Sequence, residues 1–282
     1  MFVTLDAPVP FRQGDFAVAE ATLDHADIKP VAGGELEVRR GGSGSSILLL
    51  HGSYGWWGWE EVHERLAERF DVIAPSHPGF GRSTRLPGID TVDDLAYFYL
   101  DLLAEMRLTP ACIVGFGMGG WIAAEMAVRC PPAIERLVLV DSVGIKISDR
   151  ETRDIGDPFI LSGPPMQAML WRDPEAHQVP VPGPALEPQL LEAVLHNLES
   201  AMYYGWKPYM HNPKLRQRLH RVAAPSLVVW GDDDRIVSPA YGRAFAQSIP
   251  GARYVEIPNA GHYPYREQVD EFIWAVADFL KP

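Results

Sequence analysis

Short apolar runs recur along the chain, and each one stops at glycine or at polar residues. The run ILLL at 47–50 ends at His-Gly, ACIV at 111–114 leads into GFGMGG, and LVLV at 137–140 ends at Asp141. Similar runs occupy 71–74, 226–230 and 254–257. Strands of a parallel sheet are buried on both faces, so they read as continuous apolar runs. The pattern therefore predicts a mostly parallel, buried sheet.

Segments with helical spacing lie between these runs. At 59–70 the apolar residues Val62, Leu66 and Phe70 recur every four positions. Three further segments predict helices, at 92–106, 121–128 and 268–280. Strands that alternate with helices are typical of an α/β fold, so we expect a sheet of roughly eight strands wrapped by helices.

The alternation breaks from about residue 147 to about residue 216. This stretch is rich in proline, methionine and aromatic residues, and PVPGP at 180–184 predicts a rigid turn. Two short helices are expected on either side of the turn, at 157–171 and 188–204. We therefore divide the chain into a first part of the core (1–146), a helical cap (147–215) and a second part of the core (216–282).

Composition narrows the expected partners. The 282-residue chain has a formal net charge of −12, which disfavours nucleic acid and anionic membranes. No apolar stretch is long enough to span a membrane, and the first residues do not resemble a secretory signal. The two cysteines, Cys112 and Cys130, have no metal or disulfide spacing, which fits a reducing compartment. We expect a cytoplasmic protein with a small-molecule substrate, and a homodimer is possible.

The segments that follow the strands resemble those of the α/β-hydrolase family, in particular its capped esterase and carbon–carbon-bond hydrolase branches. The resemblance rests on LLLHG, APSHPGFGRS, VGFGMGGW, WGDDDRIV and NAGHYP, which lie between about residues 47 and 280. It implies a mostly parallel eight-stranded sheet with a helical cap. It also implies a catalytic site at the carboxyl ends of the strands.

The resemblance assigns a catalytic triad to three positions. The family turn G-x-S-x-G falls on residues 115–119, where Gly117 stands in place of the serine nucleophile. The acid falls on Asp234 and the histidine on His262, in the family's chain order. Asp232 and Asp233 adjoin Asp234, so this assignment allows a shift of one or two residues, and Asp141 is the alternative acid.

Each part of such a site has a physical task. An imidazole accepts and returns a proton near neutral pH, and a carboxylate fixes its tautomer. Backbone N–H groups of Met118 and of Ser53 or Tyr54 would hold a developing oxyanion. Aromatic side chains crowd onto the same loops and predict an apolar or aromatic substrate. We expect substrate contacts from Trp56, Trp57, Phe116 and Tyr263, with 166–171 or 203–206 closing the pocket.

The sequence also raises the questions of a dinucleotide-binding turn and of a metal site. GFGMGG at 115–120 contains G-x-G-x-x-G after a strand, the pattern of a dinucleotide-binding turn. It lies at the third apparent core strand and not in a first βα unit, so the hydrolase interpretation is preferred and no cofactor is expected. His77, His177, His211 and His220 have no cysteine or carboxylate at ligand spacing, so we expect no metal.

Glycine at 117 leaves three accounts open. The chain is a serine enzyme that was disabled, an enzyme that works through His262 without serine, or a former enzyme that now only binds. The second account covers water activation as well as cofactor-free lyase or decarboxylase chemistry. A residue at this turn adopts a strained conformation that glycine tolerates, which is compatible with all three.

Overall fold

An eight-stranded, mostly parallel sheet forms the centre of the computed structural model, as the apolar runs predicted. The structure describes residues 26–157, 160–161, 163–177, 179–180 and 187–281. The strands are β1 (Ala26–Val31), β2 (Gly34–Gly42), β3 (Ser46–Leu50), β4 (Asp71–Pro75), β5 (Ala111–Phe116), β6 (Ile134–Val140), β7 (Ser226–Gly231) and β8 (Arg253–Ile257). Their spatial order is β1-β2-β4-β3-β5-β6-β7-β8.

The helices of the described chain cover this sheet. They are α1 (Glu61–Ala67), α2 (Val92–Glu105), α3 (Met118–Arg129), α4 (Pro164–Leu170), α5 (Pro188–Gly205), α6 (Leu215–Arg218), α7 (Pro239–Ser248), α8 (Pro264–Glu267) and α9 (Val269–Leu280). Strands β3, β5, β6 and β7 are buried almost throughout, which is why their sequences lack alternation. None of the helices in the described ranges is long and apolar enough to cross a bilayer.

The pattern did not identify several elements, among them β1, β2 and α7. Strands β1 and β2 pair antiparallel with each other, and β2 pairs antiparallel with β4, so they differ from the parallel core. In β2 the charged residues Glu37 and Arg39 are buried beside apolar ones, which hides the strand from a hydrophobicity pattern. Helix α7 contains Gly242, which weakens a helical prediction. A Cβ at Gly242 would lie 2.4 Å from the Trp230 ring, so close packing excludes a larger residue.

Helices α4 and α5 come from the segment predicted as a cap. Helix α5 has nearly its predicted length, whereas α4 begins only after Gly163, where a φ of +61° precedes two prolines. On α5, Asn197 donates to the Tyr54 carbonyl at 2.9 Å, and Tyr204 donates to the Pro78 carbonyl at 3.0 Å. Helix α5 therefore lies on the loops that follow β3 and β4.

Candidate active site

A sharp turn connects β5 to α3, and Gly117 is its central residue. Its backbone has φ +50° and ψ −111°, a combination that is strained for residues with a Cβ. The turn is fixed from both sides, because the Gly117 N–H donates to the Val140 carbonyl at 2.9 Å. The Gly117 carbonyl accepts from the Val143 N–H at 3.2 Å. A rigid backbone therefore presents position 117 at the carboxyl end of the sheet.

The space beside Gly117 accommodates a side chain. A Cβ at this position would lie 3.6 Å from the Gly52 Cα and 3.7 Å from the Nε2 of His262, which are ordinary contacts. Gly119, two residues later, differs sharply, since its Cβ would lie 2.0 Å from the Leu50 carbonyl oxygen. Close packing therefore requires glycine at position 119. At position 117 there is room for a larger residue.

His262 and Asp234 form a buried hydrogen-bonded pair. The Nδ1 of His262 lies 2.8 Å from the Oδ2 of Asp234, and the two side chains are 11% and 0% exposed. Because a carboxylate only accepts hydrogen bonds, Nδ1 carries the hydrogen and Nε2 of the neutral ring is left as an acceptor. The other Asp234 oxygen accepts the N–H groups of Ile236 and Val237 at 2.8 and 3.0 Å. The pair therefore directs a basic nitrogen at position 117.

Asp141 lies against the same pair. One oxygen of Asp141, one of Asp234 and a ring nitrogen of His262 all lie within 4.8 Å of one another. Within this trio, His262 Nδ1 and Asp234 Oδ2 already satisfy each other through a direct hydrogen bond of 2.8 Å. We therefore interpret the trio as a hydrogen-bonded cluster.

The predicted oxyanion donors surround position 117. Met118 is the first residue of α3, so its N–H has no acceptor within the helix. Ser53 and Tyr54 follow Gly52, whose Cα adjoins the Cβ position of residue 117. Ser53, Tyr54, Gly117, Met118 and His262 all line one pocket. Acyl-transfer chemistry needs backbone donors of this kind beside the reacting carbonyl.

Known proteins share this arrangement of strands and loops. The sequence model described as "Alpha/beta hydrolase family" matches residues 47–275, which is most of the chain. The chain belongs to the α/β-hydrolase family. It is 30% identical over 258 residues to the pimeloyl-acyl-carrier-protein methyl ester esterase of Chromobacterium violaceum, covering 85% of this chain and 96% of that esterase.

Solved structures of other α/β-hydrolases superpose well on this one. A thermophilic esterase from Thermogutta terrifontis has a TM-score of 0.68 and 25% identity, covering 88% of this chain and 93% of its own. A meta-cleavage product hydrolase from Pseudomonas fluorescens has a TM-score of 0.75 and covers 91% of this chain and 98% of its own. At 19% identity, the second likeness concerns the fold alone.

The pocket is mostly apolar. Its cavity is narrow, with a volume of about 30 Å³. Two of the predicted contacts, Phe116 and Tyr263, line it. The segment 166–171 contributes Leu170, whereas the predicted 203–206 segment does not line it. Sequence reasoning missed the remaining lining side chains, which are Val140, Val143, Ile155, Tyr209, Met210, Ile236 and Tyr265.

Trp56 and Trp57 are not among the described residues that line the pocket, contrary to the prediction. Gly55, with φ +77°, closes a tight turn by donating to the Gly52 carbonyl at 3.1 Å, and the chain then turns inward. The Trp56 ring consequently packs edge-on against His63, at a centroid distance of 4.4 Å, and against Phe116 at 5.6 Å. Trp56 supports the pocket wall from behind and does not form the wall.

An ion pair that the sequence did not reveal ties two site loops together. Glu60 lies at the end of the loop that follows β3 (51–60), which contains Ser53 and Tyr54. Arg266 lies in α8, just after the loop 258–263 that contains His262. Arg266 donates to both Glu60 oxygens at 2.7 Å. Burial alone would raise the pKa of Glu60, but the Arg266 charge, the nearby His63 and the hydrogen bonds from Arg266 and the Trp57 N–H together lower this pKa below its ordinary value. The guanidinium also lies over the rings of Tyr263 and Tyr265, at 5.2 and 5.4 Å. This pair therefore holds the pocket aromatics in place.

His51 is the first residue of the loop that follows β3, and its buried side chain stabilises that loop. Its Nε2 accepts the N–H of His77 at 2.8 Å, and its Nδ1 lies 2.7 Å from the Gly52 carbonyl, to which it donates. Burial lowers the pKa of His51, and burial also lowers the pKa of His77 to about 3. Both rings are therefore neutral structural groups that fix the loop, and His262 is the histidine that faces position 117.

Proposed function

We propose that this chain is a hydrolase of small, neutral, apolar or aromatic esters or carbon–carbon-bond substrates, and that water activated by His262 replaces the serine. The observation that carries the proposal is the distance of 3.7 Å from His262 Nε2 to the Cβ position of Gly117. With no side chain at 117, a water molecule fits beside Nε2, where the serine hydroxyl of related enzymes would stand. The relatives named above include two esterases, at 30% and 25% identity, which supports ester hydrolysis.

The proposed reaction needs one proton to move and return. The oxygen of the water attacks the substrate carbonyl carbon as Nε2 of His262 takes a proton from that water. The N–H groups of Met118 and Ser53 stabilise the resulting oxyanion. The oxyanion then collapses, the bond to the leaving group breaks, and Nε2 returns the proton to the leaving alkoxide or carbanion. Asp234 stabilises the intermediate imidazolium throughout.

The lining of the pocket supports a neutral substrate. Apart from His262, the described lining residues include no lysine, arginine, aspartate or glutamate. A carboxylate on the substrate would lose its hydration there without gaining an ion pair, which is costly. The phenolic groups of Tyr54 and Tyr263 lie among apolar side chains, and burial raises the pKa of each, so both remain neutral donors.

His262→Ala tests the reaction. If the unmodified chain hydrolyses a panel of 4-nitrophenyl esters, this variant should lose about 10²-fold or more in kcat, because a general base contributes that much. Added imidazole should restore part of the rate, since it can occupy the space of the removed ring. Release of 4-nitrophenol, followed by absorbance, measures both effects.

His220→Ala is the matched control, because His220 is an exposed histidine remote from the site and should leave the rate unchanged. Equal rates for the unmodified chain and His262→Ala would contradict the proposal. If the unmodified chain binds the esters without any turnover, and His262→Ala binds them equally well, the chain is a non-catalytic small-molecule binding protein.

A pair of esters tests substrate charge. We expect 4-nitrophenyl butyrate to exceed 4-nitrophenyl hemisuccinate in kcat/KM by about tenfold or more, because burying the hemisuccinate carboxylate costs over 1.4 kcal/mol. The leaving group is the same, so the ratio isolates the acyl charge. Ile236→Lys places a cation in the pocket lining, where it can pair with the hemisuccinate carboxylate. This variant should therefore lower the ratio of kcat/KM for the butyrate to kcat/KM for the hemisuccinate. A preference of the unmodified chain for the hemisuccinate would contradict the neutral-substrate assignment.

A further inference from the structure

Asp141 has an unusual backbone conformation at the end of β6. Its φ is +42°, a region that residues with a Cβ seldom adopt, although aspartate is among those that tolerate it. Its side chain is buried, and its N–H donates to the Val229 carbonyl at 3.1 Å. Strained, buried, polar residues cluster at functional sites. The conformation turns the Asp141 carboxyl towards the pair of Asp234 and His262.

The two oxygens of Asp141 have different surroundings. Oδ1 accepts the N–H of Gly231 at 2.9 Å. Oδ2 is fully buried, and within the described chain no N–H or O–H group donates to it. A buried carboxylate oxygen without a donor is costly. That cost disappears if Oδ2 itself carries a proton, because it then becomes a donor and Asp234 offers the acceptor.

The charges around Asp141 favour this protonated form. Within the described ranges, no lysine or arginine forms a salt bridge with Asp141 or with Asp234. The salt-bridge partner of Asp234 in these ranges is His262. Glu267 adds a further negative charge from α8, and the phenols of Tyr254 and Tyr265 also face this region. Burial raises the pKa of Asp141 well above its ordinary value, and the adjacent Asp234 carboxylate raises it further.

We propose that Asp141 is a positioning residue that is protonated and neutral in the folded chain. Its carboxylic acid O–H donates a hydrogen bond to the Asp234 carboxylate. Asp141, Asp234 and His262 together then carry one negative charge. Two carboxyl groups at such short range share one proton in other proteins. The donated bond holds the Asp234 carboxylate in place for the imidazole. The consequence for catalysis rests on the proposed function, but the protonation of Asp141 does not.

Asp141→Asn tests the proposal without any substrate. Asparagine keeps the shape and the donor of a neutral acid. An unfolded aspartate ionises near its ordinary value of 3.8, whereas the folded Asp141 keeps its proton to higher pH. The unmodified chain therefore loses stability through this group as pH rises, and the variant does not. Relative to the unmodified chain, the urea midpoint of Asp141→Asn should rise steadily as the pH increases from about 4 to neutral.

Asp71→Asn is the matched control, because Asp71 is also a strand-end aspartate with little exposure. Hydrogen bonds from Arg40 hold the pKa of Asp71 below its ordinary value. Its stabilisation is complete above the unfolded pKa and is lost as pH falls through the lowered folded value. Asp71→Asn should therefore be destabilised by a constant amount across the same range of pH.

A constant or growing loss of stability in Asp141→Asn over that range would overturn the proposal, since it would mean that Asp141 is ionised. If Asp141→Asn does not fold, carboxyl NMR of the unmodified chain with isotope-labelled aspartate replaces the comparison. One aspartate should then retain its proton at neutral pH, and finding none would overturn the proposal. Neither readout needs turnover, so failure here is distinct from failure of the proposed hydrolysis.

Discussion

Gly117→Ser should convert the chain into a serine hydrolase that reacts covalently with fluorophosphonate reagents. The serine Cβ would meet only ordinary contacts, and its hydroxyl would fall within reach of His262 Nε2. Nε2 is already an acceptor because Nδ1 is bonded to Asp234 at 2.8 Å. Loss of such a serine costs about 10⁶-fold in a well-studied protease, so we expect a gain on the order of 10⁴-fold for activated esters.

The measurements are mass spectrometry of the labelled chain and the burst of 4-nitrophenol that marks an acyl-enzyme. The same variant should unfold more easily by about 1–3 kcal/mol, because a residue with a Cβ at φ +50° is strained. Gly117→Ala is the matched control, since it carries the same strain without the hydroxyl and should show neither label nor burst. A folded Gly117→Ser chain that neither labels nor turns over would refute a pre-arranged triad.

Asp234→Asn, made in the Gly117→Ser chain, should lower kcat by about 10⁴-fold. The asparagine oxygen can keep the bonds that Asp234 accepts from Ile236 and Val237. Its amide would then face Nδ1 of His262 as a donor, which favours the tautomer with hydrogen on Nε2. That tautomer cannot take the serine proton. Steady-state ester hydrolysis measures the loss, and circular dichroism checks the fold.

Asp233→Asn is the control for the neighbouring acid. Asp233 pairs with Arg172 and Arg235 near the surface, and it does not contact His262. Its replacement should change kcat by less than about threefold, as expected for exposed ion pairs. An equal loss in both variants would mean that the acid was misassigned and that the loop as a whole positions the histidine.

The sequence predicted strands correctly where both faces of the strand are buried. Strands such as β5 and β7 are buried on both faces, so apolar runs bounded by glycine or polar residues identified them directly. The same logic failed for β2, whose buried Glu37 and Arg39 are stabilised by polar partners such as Ser76. Local sequence gives no sign of partners that lie far along the chain.

The convergence of Gly117, Asp234 and His262 also followed from the sequence, because each lies on a loop that follows a strand and parallel strands end at one edge of a sheet. The short segments around them carry the family resemblance. That resemblance assigned the acid and the histidine to Asp234 and His262. The roles of these residues remain part of the proposed function.

The lining of the pocket depended on tertiary structure. Trp56 and Trp57 were predicted as lining from their loop, but after the positive φ of Gly55 the Trp56 side chain enters the core, and Trp57 is only partly buried. Tyr209 and Met210 line the pocket from a region with no recognisable pattern. A side chain's direction after a tight turn depends on backbone angles and packing, which local hydrophobicity does not encode.

The sequence by itself therefore determined the fold class, the positions of the buried strands along the chain and the absence of a hydroxyl at position 117. Periodicity and residue identity record those features at each position along the chain. Only the tertiary structure decided that Asp141 lies against Asp234 and that Glu60 pairs with Arg266. These contacts join residues that are distant along the chain, and their energies depend on distances and burial that exist only once the chain is folded.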